Sequence, residues 1–292
     1  MASARAEPAP AKINLTLRVL GRRADGYHDI ESLVVFAALG DVLSFTPARA
    51  LALTVRGPTA SAAGEISDNL VLKAARALAE RIEGLKLGRF VLSKRLPVAA
   101  GLGGGSADAA AALRLLARAN RLAGDDPRLV QAARATGADV PVCLDPRPRL
   151  MRGIGDILSD PLAMPRLPAL LVNPRVAVPT KDVFAARRAK PATRSAAASF
   201  PALKGVAESR DALLNFLAAS GNDLEQPAIA LVPVIADVLG ALRALPGCRL
   251  ARMSGSGATC FALFDSVRAT AAAARVLRRQ HDDWWVRATV LG

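Results

Sequence analysis

The chain has 292 residues, is 52% hydrophobic and carries no stretch of about 18 or more apolar residues, so it fits one large or two moderate soluble domains and excludes a membrane span. A formal net charge of +14 invites a nucleic-acid reading, yet aromatics are only 4% and no basic segment is interleaved with them. A small polyanionic substrate accounts for the charge equally well, and neither nucleic acid nor membrane is an expected partner. Cys143, Cys248 and Cys260 are widely separated and lack metal-ligand spacing, and Met1 to Pro8 lack the apolar core of a secretory leader. A cytoplasmic protein with reduced cysteines and no structural metal site is expected.

Along the chain, Lys12 to Val19 alternate cleanly. Ile13, Leu15, Leu17 and Val19 take one face; Lys12, Asn14, Thr16 and Arg18 take the other. This predicts a half-buried strand with Lys12 and Asn14 about 6–7 Å apart on its polar face. Asp25-Gly26 is a turn, a second strand covers 30–36, and 51–55 alternates again. Ser67-Asp68-Asn69 caps a helix reaching Ile82, and 90–92 is a short strand.

That strand feeds the most informative run: Leu96, Pro97, Val98, Ala99, Ala100, Gly101, Leu102, Gly103, Gly104, Gly105, Ser106, Ala107 and Asp108, ahead of an alanine-rich helix over 109–119. A chain that turns on glycines and enters a helix aims several backbone N–H groups at one spot, where the helix adds about half a positive charge. Phosphate is the natural occupant. The run is not a P-loop, because it lacks the Gly-Lys-Ser/Thr sequence, Ser106 being followed by Ala107 and Asp108 with no lysine, and Ser106 stands where a dinucleotide fingerprint needs its third glycine.

Farther on, Gly137 ends a helix that follows Pro127, and Asp145-Pro146-Arg147-Pro148 is a loop. A strand is predicted at 170–172, helices at 211–219, 228–244 and 268–279, and strands at 249–253, 259–264 and 285–290. Helices and strands mix without strict alternation, which indicates an α+β protein of two domains, 1–155 and 156–292.

Four further clusters carry polar chemistry. Pro10-Ala11-Lys12-Ile13-Asn14-Leu15 sets an ammonium and a carboxamide on one strand face. Gly26-Tyr27-His28 follows a turn and holds the only tyrosine. Gly137-Ala138-Asp139-Val140-Pro141 exposes a carboxylate past a helix end, and Arg252 to Thr259 form a second glycine-rich turn. Each has a bland alternative: a solvated lysine, a surface histidine, a capping aspartate, a tight hairpin.

Together, PAKINL, ADGYH, LPVAAGLGGGSADAAAAL, GADVPV and RMSGSGATCF, in this order, resemble the GHMP small-molecule kinases. Ser67-Asp68-Asn69-Leu70 and Asn222-Asp223-Leu224-Glu225 extend the likeness. The KINL and DGYH segments resemble a member acting on a cytidyl diphosphate sugar alcohol in non-mevalonate isoprenoid synthesis, rather than kinases of homoserine or mevalonate. The resemblance implies a two-domain fold, with a domain like the second domain of ribosomal protein S5 followed by a ferredoxin-like one, and a cleft in which ATP and substrate meet. It implies ATP with Mg²⁺, transfer to the substrate's 2-hydroxyl, and a monomer or weak homodimer.

By the same resemblance, Asp139 is the general base and Lys12 its partner; the loop from Pro97 to Ala107 wraps the ATP phosphates, and Asn69 lies on the adenine side. Tyr27, His28 and Phe184 hold the cytidine by stacking or hydrogen bonds, with Asn14 and Thr180 nearby. Ser106 is placed to touch a phosphate or Mg²⁺. Cys143 to Pro148 depart from the aromatic and glycine turn of many relatives, and the basic run Arg187, Arg188, Lys190, Arg194 reads as a solvated loop or a clasp on the substrate diphosphate. The class-level rival is a nucleotide-binding or RNA-associated protein without turnover, for which a retained Lys12 and Asp139 have no use.

Overall fold

A computed structural model describes residues 5–187 and 209–292 of the chain. In chain order its first elements are β1 (Arg5–Asn14), β2 (Arg18–Arg22), β3 (His28–Pro47), β4 (Ala52–Arg56), α1 (Leu70–Ala79), β5 (Gly88–Ser93), α2 (Gly104–Ala119), α3 (Pro127–Thr136) and α4 (Val140–Leu144). Then come β6 (Arg149–Gly153), β7 (Ile157–Leu158), β8 (Leu167–Asn173), α5 (Thr180–Ala186), α6 (Arg210–Ala219), α7 (Glu225–Leu231), α8 (Val234–Arg243), β9 (Cys248–Met253), β10 (Cys260–Phe264), α9 (Val267–Gln280) and β11 (Trp285–Leu291). They pack as two compact units. The first comprises Met1–Lys12, Leu39–Val98 and Gly103–Pro146; the second comprises Ile13–Ala38, Ala99–Leu102 and Arg147–Gly292.

In the first unit, β4 lies parallel to β5, and β5 runs antiparallel to the end of β3, with Phe90 opposite Phe45. Those two buried rings sit 4.9 Å apart. Burying a pair of phenyl rings removes enough apolar area to contribute several kcal/mol. Gly40 keeps β3 continuous where β1 crosses it, since a Cβ there would lie 2.1 Å from the Ala9 carbonyl oxygen.

Helix α1 starts where expected, because the Asn69 carboxamide accepts the Val71 N–H at 3.0 Å. It ends at Ala79 rather than Ile82: Arg81 and Ile82 donate three residues back, tightening the chain toward Gly84 at φ +69°. Helix α2 starts at Gly104, five residues before the predicted 109. Here the glycines are helix rather than loop, and their bareness admits neighbours: a Cβ on Gly104 would meet the Lys94 ammonium at 3.2 Å, and one on Gly105 would meet Leu70 at 3.3 Å. The alanines that follow are buried, which permits close approach of α1.

In the second unit the strand order is β3-β11-β8-β10-β9, with Leu291 opposite Ala37. β8 is buried at all seven positions, as expected of a strand covered on both faces. The hairpin β6–β7 was not predicted; β6 pairs with residues 30–34 of β3, a tertiary partner that a proline-flanked, arginine-containing segment does not announce. The predicted helix 228–244 is two helices, because Pro233 lacks the N–H needed to continue the ladder.

The predicted half-buried strand over 12–19 is corrected in two ways. It breaks after Asn14, where the Leu17 amide donates to the Gly221 carbonyl instead of remaining in the ladder, at 3.0 Å. Its polar face is also buried: Lys12, Asn14 and Thr16 are 4%, 2% and 0% exposed. Hydrogen bonds replace the water. The Ser32 hydroxyl donates to the Thr16 carbonyl at 2.5 Å, and Thr16 Oγ1 accepts the Leu33 N–H at 3.1 Å.

All three cysteines are free. Burial pushes the Cys143 thiol up to about 12 and raises Cys260 as well, so both behave as small core residues. Among the described residues no helix is long and apolar enough to cross a membrane.

Candidate active site

In the first unit, the Lys12 ammonium at the end of β1 lies 2.9 Å from Asp139 Oδ2. Asp139 precedes α4 yet makes no capping bond with its side chain, so the carboxylate is turned to Lys12. Gly137 ends α3 in an extended conformation, two residues before Asp139. The Lys12 stem packs on Gly103: a Cβ at 103 would meet Lys12 Cε at 3.1 Å and Cβ at 3.2 Å. An ammonium, a carboxylate and the start of α2 are thereby brought together.

The N-terminus of α2 differs from those of α1, α3, α6 and α9, where an Asn, Asp or Ser side chain accepts a first-turn N–H. Its cap is Gly103, in the left-handed region at φ +60°, with no side chain to offer. The first intrahelical bond is from Ala107 N to the Gly103 carbonyl at 2.8 Å. The helical N–H groups of Gly104, Gly105 and Ser106 are the ones an α-helix leaves for an external acceptor. Such a start favours an anion.

Behind this helix start lies a buried cluster. Lys94 Nζ donates to Asp41 Oδ2 at 2.5 Å and to Asp108 Oδ2 at 2.7 Å, and all three residues are at most 5% exposed. Burial pushes Asp108 up to about 7, with Lys94 opposing and Asp41 adding to the shift. Two carboxylates sharing one ammonium in a dry site cannot both ionise cheaply.

In the second unit, residues Ala99–Leu102 of the glycine run pack on the second glycine turn. Thr259 N donates to the Ala100 carbonyl at 3.1 Å, and the Ser254 hydroxyl donates to the Gly101 carbonyl at 3.0 Å. Ser254 Oγ also accepts the Asn14 backbone N–H at 3.1 Å, while the Asn14 carboxamide donates to Ser32 at 2.7 Å. Gly101, at φ +73°, admits no side chain, since a Cβ would lie 2.3 Å from the Ser254 carbonyl oxygen.

The rings of His28 and Phe184 are stacked at 4.8 Å and 25°. Burial lowers His28, and the charges of Arg22 and Arg187 lower it further, so the imidazole is neutral at pH 7. Tyr27 is 59% exposed at the adjacent turn. Phe184 rides on α5, which is tied at both ends: the Thr180 and Ser256 hydroxyls are hydrogen-bonded at 2.8 Å, and Arg187 donates to the Val19 carbonyl and to Asp223, each at 3.1 Å. The structure thus joins Lys12 with Asp139, and His28 with Phe184. Asn69 serves as the α1 cap. Of the basic run, Arg187 is the tie just described, and Arg188, Lys190 and Arg194 lie outside the described residues.

Sequence reasoning missed Asp41, Lys94 and the Arg187–Asp223 tie. Lys94 sits two residues before the glycine run and Asp223 within a quoted motif, so each had a local signal; Asp41, midway along a strand, had none. Among the described residues no group of three or more His, Cys, Asp or Glu is placed to hold a metal ion.

Comparison with known proteins decides the family. The model for the GHMP kinases N terminal domain matches residues 69–145, and that for the GHMP kinases C terminal domain matches residues 199–283. The chain belongs to the GHMP kinases. Within that family it is 61% identical over 287 residues, 97% of each chain, to the 4-diphosphocytidyl-2-C-methyl-D-erythritol kinase of Xanthobacter autotrophicus. It is 58% identical to the enzyme of that name from Methylobacterium radiotolerans, over 98% of each chain. Among solved structures, a 4-(cytidine 5'-diphospho)-2C-methyl-D-erythritol kinase superposes with a TM-score of 0.78 at 35% identity, covering 99% of both chains. A homoserine kinase from Cytophaga hutchinsonii, at 20% identity and TM-score 0.74, shares the fold. This GHMP kinase is therefore an ATP-dependent kinase with a two-domain fold of mixed α and β structure.

Proposed function

We propose that the chain transfers the γ-phosphoryl group of ATP to the 2-hydroxyl of 4-diphosphocytidyl-2-C-methyl-D-erythritol. The observation that carries the chemistry is the Lys12–Asp139 pair at 2.9 Å, packed against Gly103 at the start of α2. The substrate hydroxyl gives its proton to the Asp139 carboxylate as its oxygen bonds to the γ-phosphorus; the bond to the β-phosphate oxygen breaks, and ADP leaves. Lys12 orients the carboxylate and stabilises charge on the moving phosphoryl group. The N–H groups at Gly104, Gly105 and Ser106 hold phosphate oxygens.

The substrate identity rests on the relatives' names and on residues suited to a cytosine. A neutral His28 has one donor and one acceptor nitrogen for the base edge, and Phe184 and Tyr27 present aromatic faces. Thr180 opens the helix that carries Phe184, and Asn14, bonded to Ser32 and Ser254, is assigned to this site by the family resemblance alone. Mg²⁺ suits a site of this composition as a companion of the ATP phosphates, because Mg²⁺ keeps most of its ligands from phosphate and water. Ser106 is the hydroxyl at the helix start that would meet it; the metal supplies charge neutralisation on the phosphates. Two domains in this order are supported by the two family models at residues 69–145 and 199–283; the compact units depart from a single cut at 155, because Ile13–Ala38 and Ala99–Leu102 pack with the second.

The test is ADP release with Mg-ATP and equal amounts of the cytidyl substrate, homoserine and mevalonate. Turnover with the cytidyl compound alone is expected. Turnover with another of these alcohols in preference to it would overturn the reading.

A further inference from the structure

We propose that Asp41, Lys94 and Asp108 are positioning residues that hold the phosphate loop at both of its ends, so that ATP affinity depends on a cluster the nucleotide does not touch. This rests on the reading of the glycine run as the ATP site.

The loop leaves β5 after Ser93 and enters α2 at Gly104. At the exit, Lys94 N donates to the Arg56 carbonyl at 2.7 Å, and Gly57 gives room for that contact, since a Cβ at 57 would lie 2.3 Å from the Lys94 carbonyl oxygen. Asp41 Oδ1 accepts the N–H groups of both Arg95 and Leu96, and the Thr59 hydroxyl donates to the Leu96 carbonyl at 2.9 Å. Every residue from Lys94 to Leu96 is thus anchored before the turn begins at Pro97. At the far end, Asp108 lies one turn into α2. The Lys94 ammonium bridges the two ends, at 2.5 Å to Asp41 and 2.7 Å to Asp108, and approaches the position a Cβ of Gly104 would occupy. The span that the loop must cross is fixed by one side chain.

Stability alone is a poor reason for this arrangement. Apolar residues of equal volume commonly match or exceed a buried ion pair in stability. Here the cluster has one carboxylate more than it has ammonium groups, and Asp108 Oδ1 has no hydrogen-bond partner among the described residues. A buried polar atom left without a partner costs free energy. Such a cost is retained where it holds a geometry: open N–H donors bind phosphate only when they converge, and a displacement of about 1 Å is enough to lose much of that binding.

The experiment measures KM for ATP, KM for the cytidyl substrate, kcat and Tm in Lys94→Met, in the double variant Lys94→Met/Asp108→Leu, and in Asp108→Asn. The double variant covers the case in which Lys94→Met does not fold, because it removes the unpaired Asp108 charge while Asp41 keeps its two backbone donors. The expected result is a rise of about tenfold in KM for ATP in the variants lacking Lys94, with KM for the cytidyl substrate within twofold of wild type. Asp108→Asn keeps an acceptor for Lys94 and stays within twofold for ATP. Unchanged KM for ATP in a folded variant lacking Lys94, or equal changes for both substrates accompanied by lower Tm, overturns the positioning role. Hydrogen exchange of residues 97–107, with and without a non-hydrolysable ATP analogue, separates the two readings. If the wild-type loop gains no protection, the phosphate-loop reading fails and this role falls with it; if it gains protection and variants lacking Lys94 gain as much, only the positioning role fails.

Discussion

Replacing Asp108 by Asn should flatten the pH dependence of stability in a way that no surface carboxylate change would. In the folded protein Asp108 titrates near 7, against 3.8 for an ordinary carboxylate, chiefly through burial. At pH 5 the folded state holds a proton that the unfolded chain has released, so the contribution is complete below the ordinary value and is lost as pH rises through the folded one. The slope approaches about 1.4 kcal/mol per pH unit and levels off near the folded value, so the wild type loses about 2 kcal/mol from this group between pH 5 and pH 7, and between about 2 and 3 kcal/mol by pH 8. Asparagine does not titrate, so the difference between the two proteins reports Asp108 together with its coupling to Lys94 and Asp41. At about 2–3 °C per kcal/mol for a chain of this size, the wild-type Tm should fall by about 5–8 °C relative to Asp108→Asn between pH 5 and pH 8. Differential scanning calorimetry at intervals of half a pH unit gives the comparison directly. Tm curves that stay parallel within about 2 °C would show that Asp108 is ionised throughout this range and that the account of the cluster is wrong.

Three other expectations concern the reaction. Asp139→Asn should bind ATP normally while kcat drops by about 10²–10⁴, the usual worth of a positioned base; a variant keeping a tenth of the wild-type rate would remove Asp139 from that role. Tyr27→Ala should raise KM for the cytidyl substrate about fivefold or more, in line with about 1–3 kcal/mol for stacking on one base, and leave KM for ATP unchanged; equal effects on both would place Tyr27 outside the base site. Arg187→Met unties one end of α5 and should raise KM for the cytidyl substrate severalfold at constant Tm, because Arg187 is partly exposed and its ties to Val19 and Asp223 contribute little to overall stability. No change in that KM would mean that α5 holds Phe184 without the tie.

Elements whose cause is local were readable from the sequence. Asn69 capping α1, Gly137 closing α3 and the alternation at 51–55 each depend on a residue and its immediate neighbours. The start of α2 was misplaced because glycine has low helix propensity, and what favours helix at Gly104 and Gly105 is the Lys94 and Leu70 side chains seated against their bare Cα atoms. The burial of Lys12, Asn14 and Thr16 was illegible for a related reason: alternation shows which residues share a face, and only tertiary partners decide whether that face meets water. At the candidate site, Lys12 and Asp139 stood out through their motifs, and the structure brings them together. Asp41 did not, because a carboxylate inside a strand is informative only once Lys94 and the Arg95 and Leu96 amides are seen around it.

The division of the chain between its units sets an order for synthesis. Every segment of the first unit precedes residue 147, so that unit can complete its core when half the polypeptide has been made. The second unit recruits Ile13–Ala38 early, yet its sheet joins that segment through β11, where Leu291 faces Ala37 and Gly292 N donates to the Phe36 carbonyl at 3.0 Å. The first part of β3 thus waits for the other end of the chain with its β11 edge unpaired, a separation that slows folding and leaves an open strand edge as a hazard for aggregation. Trimming even a few residues from β11 would therefore harm expression severely, since the strand lies between β3 and β8, while a nick between residues 146 and 147 would spare the first unit entirely.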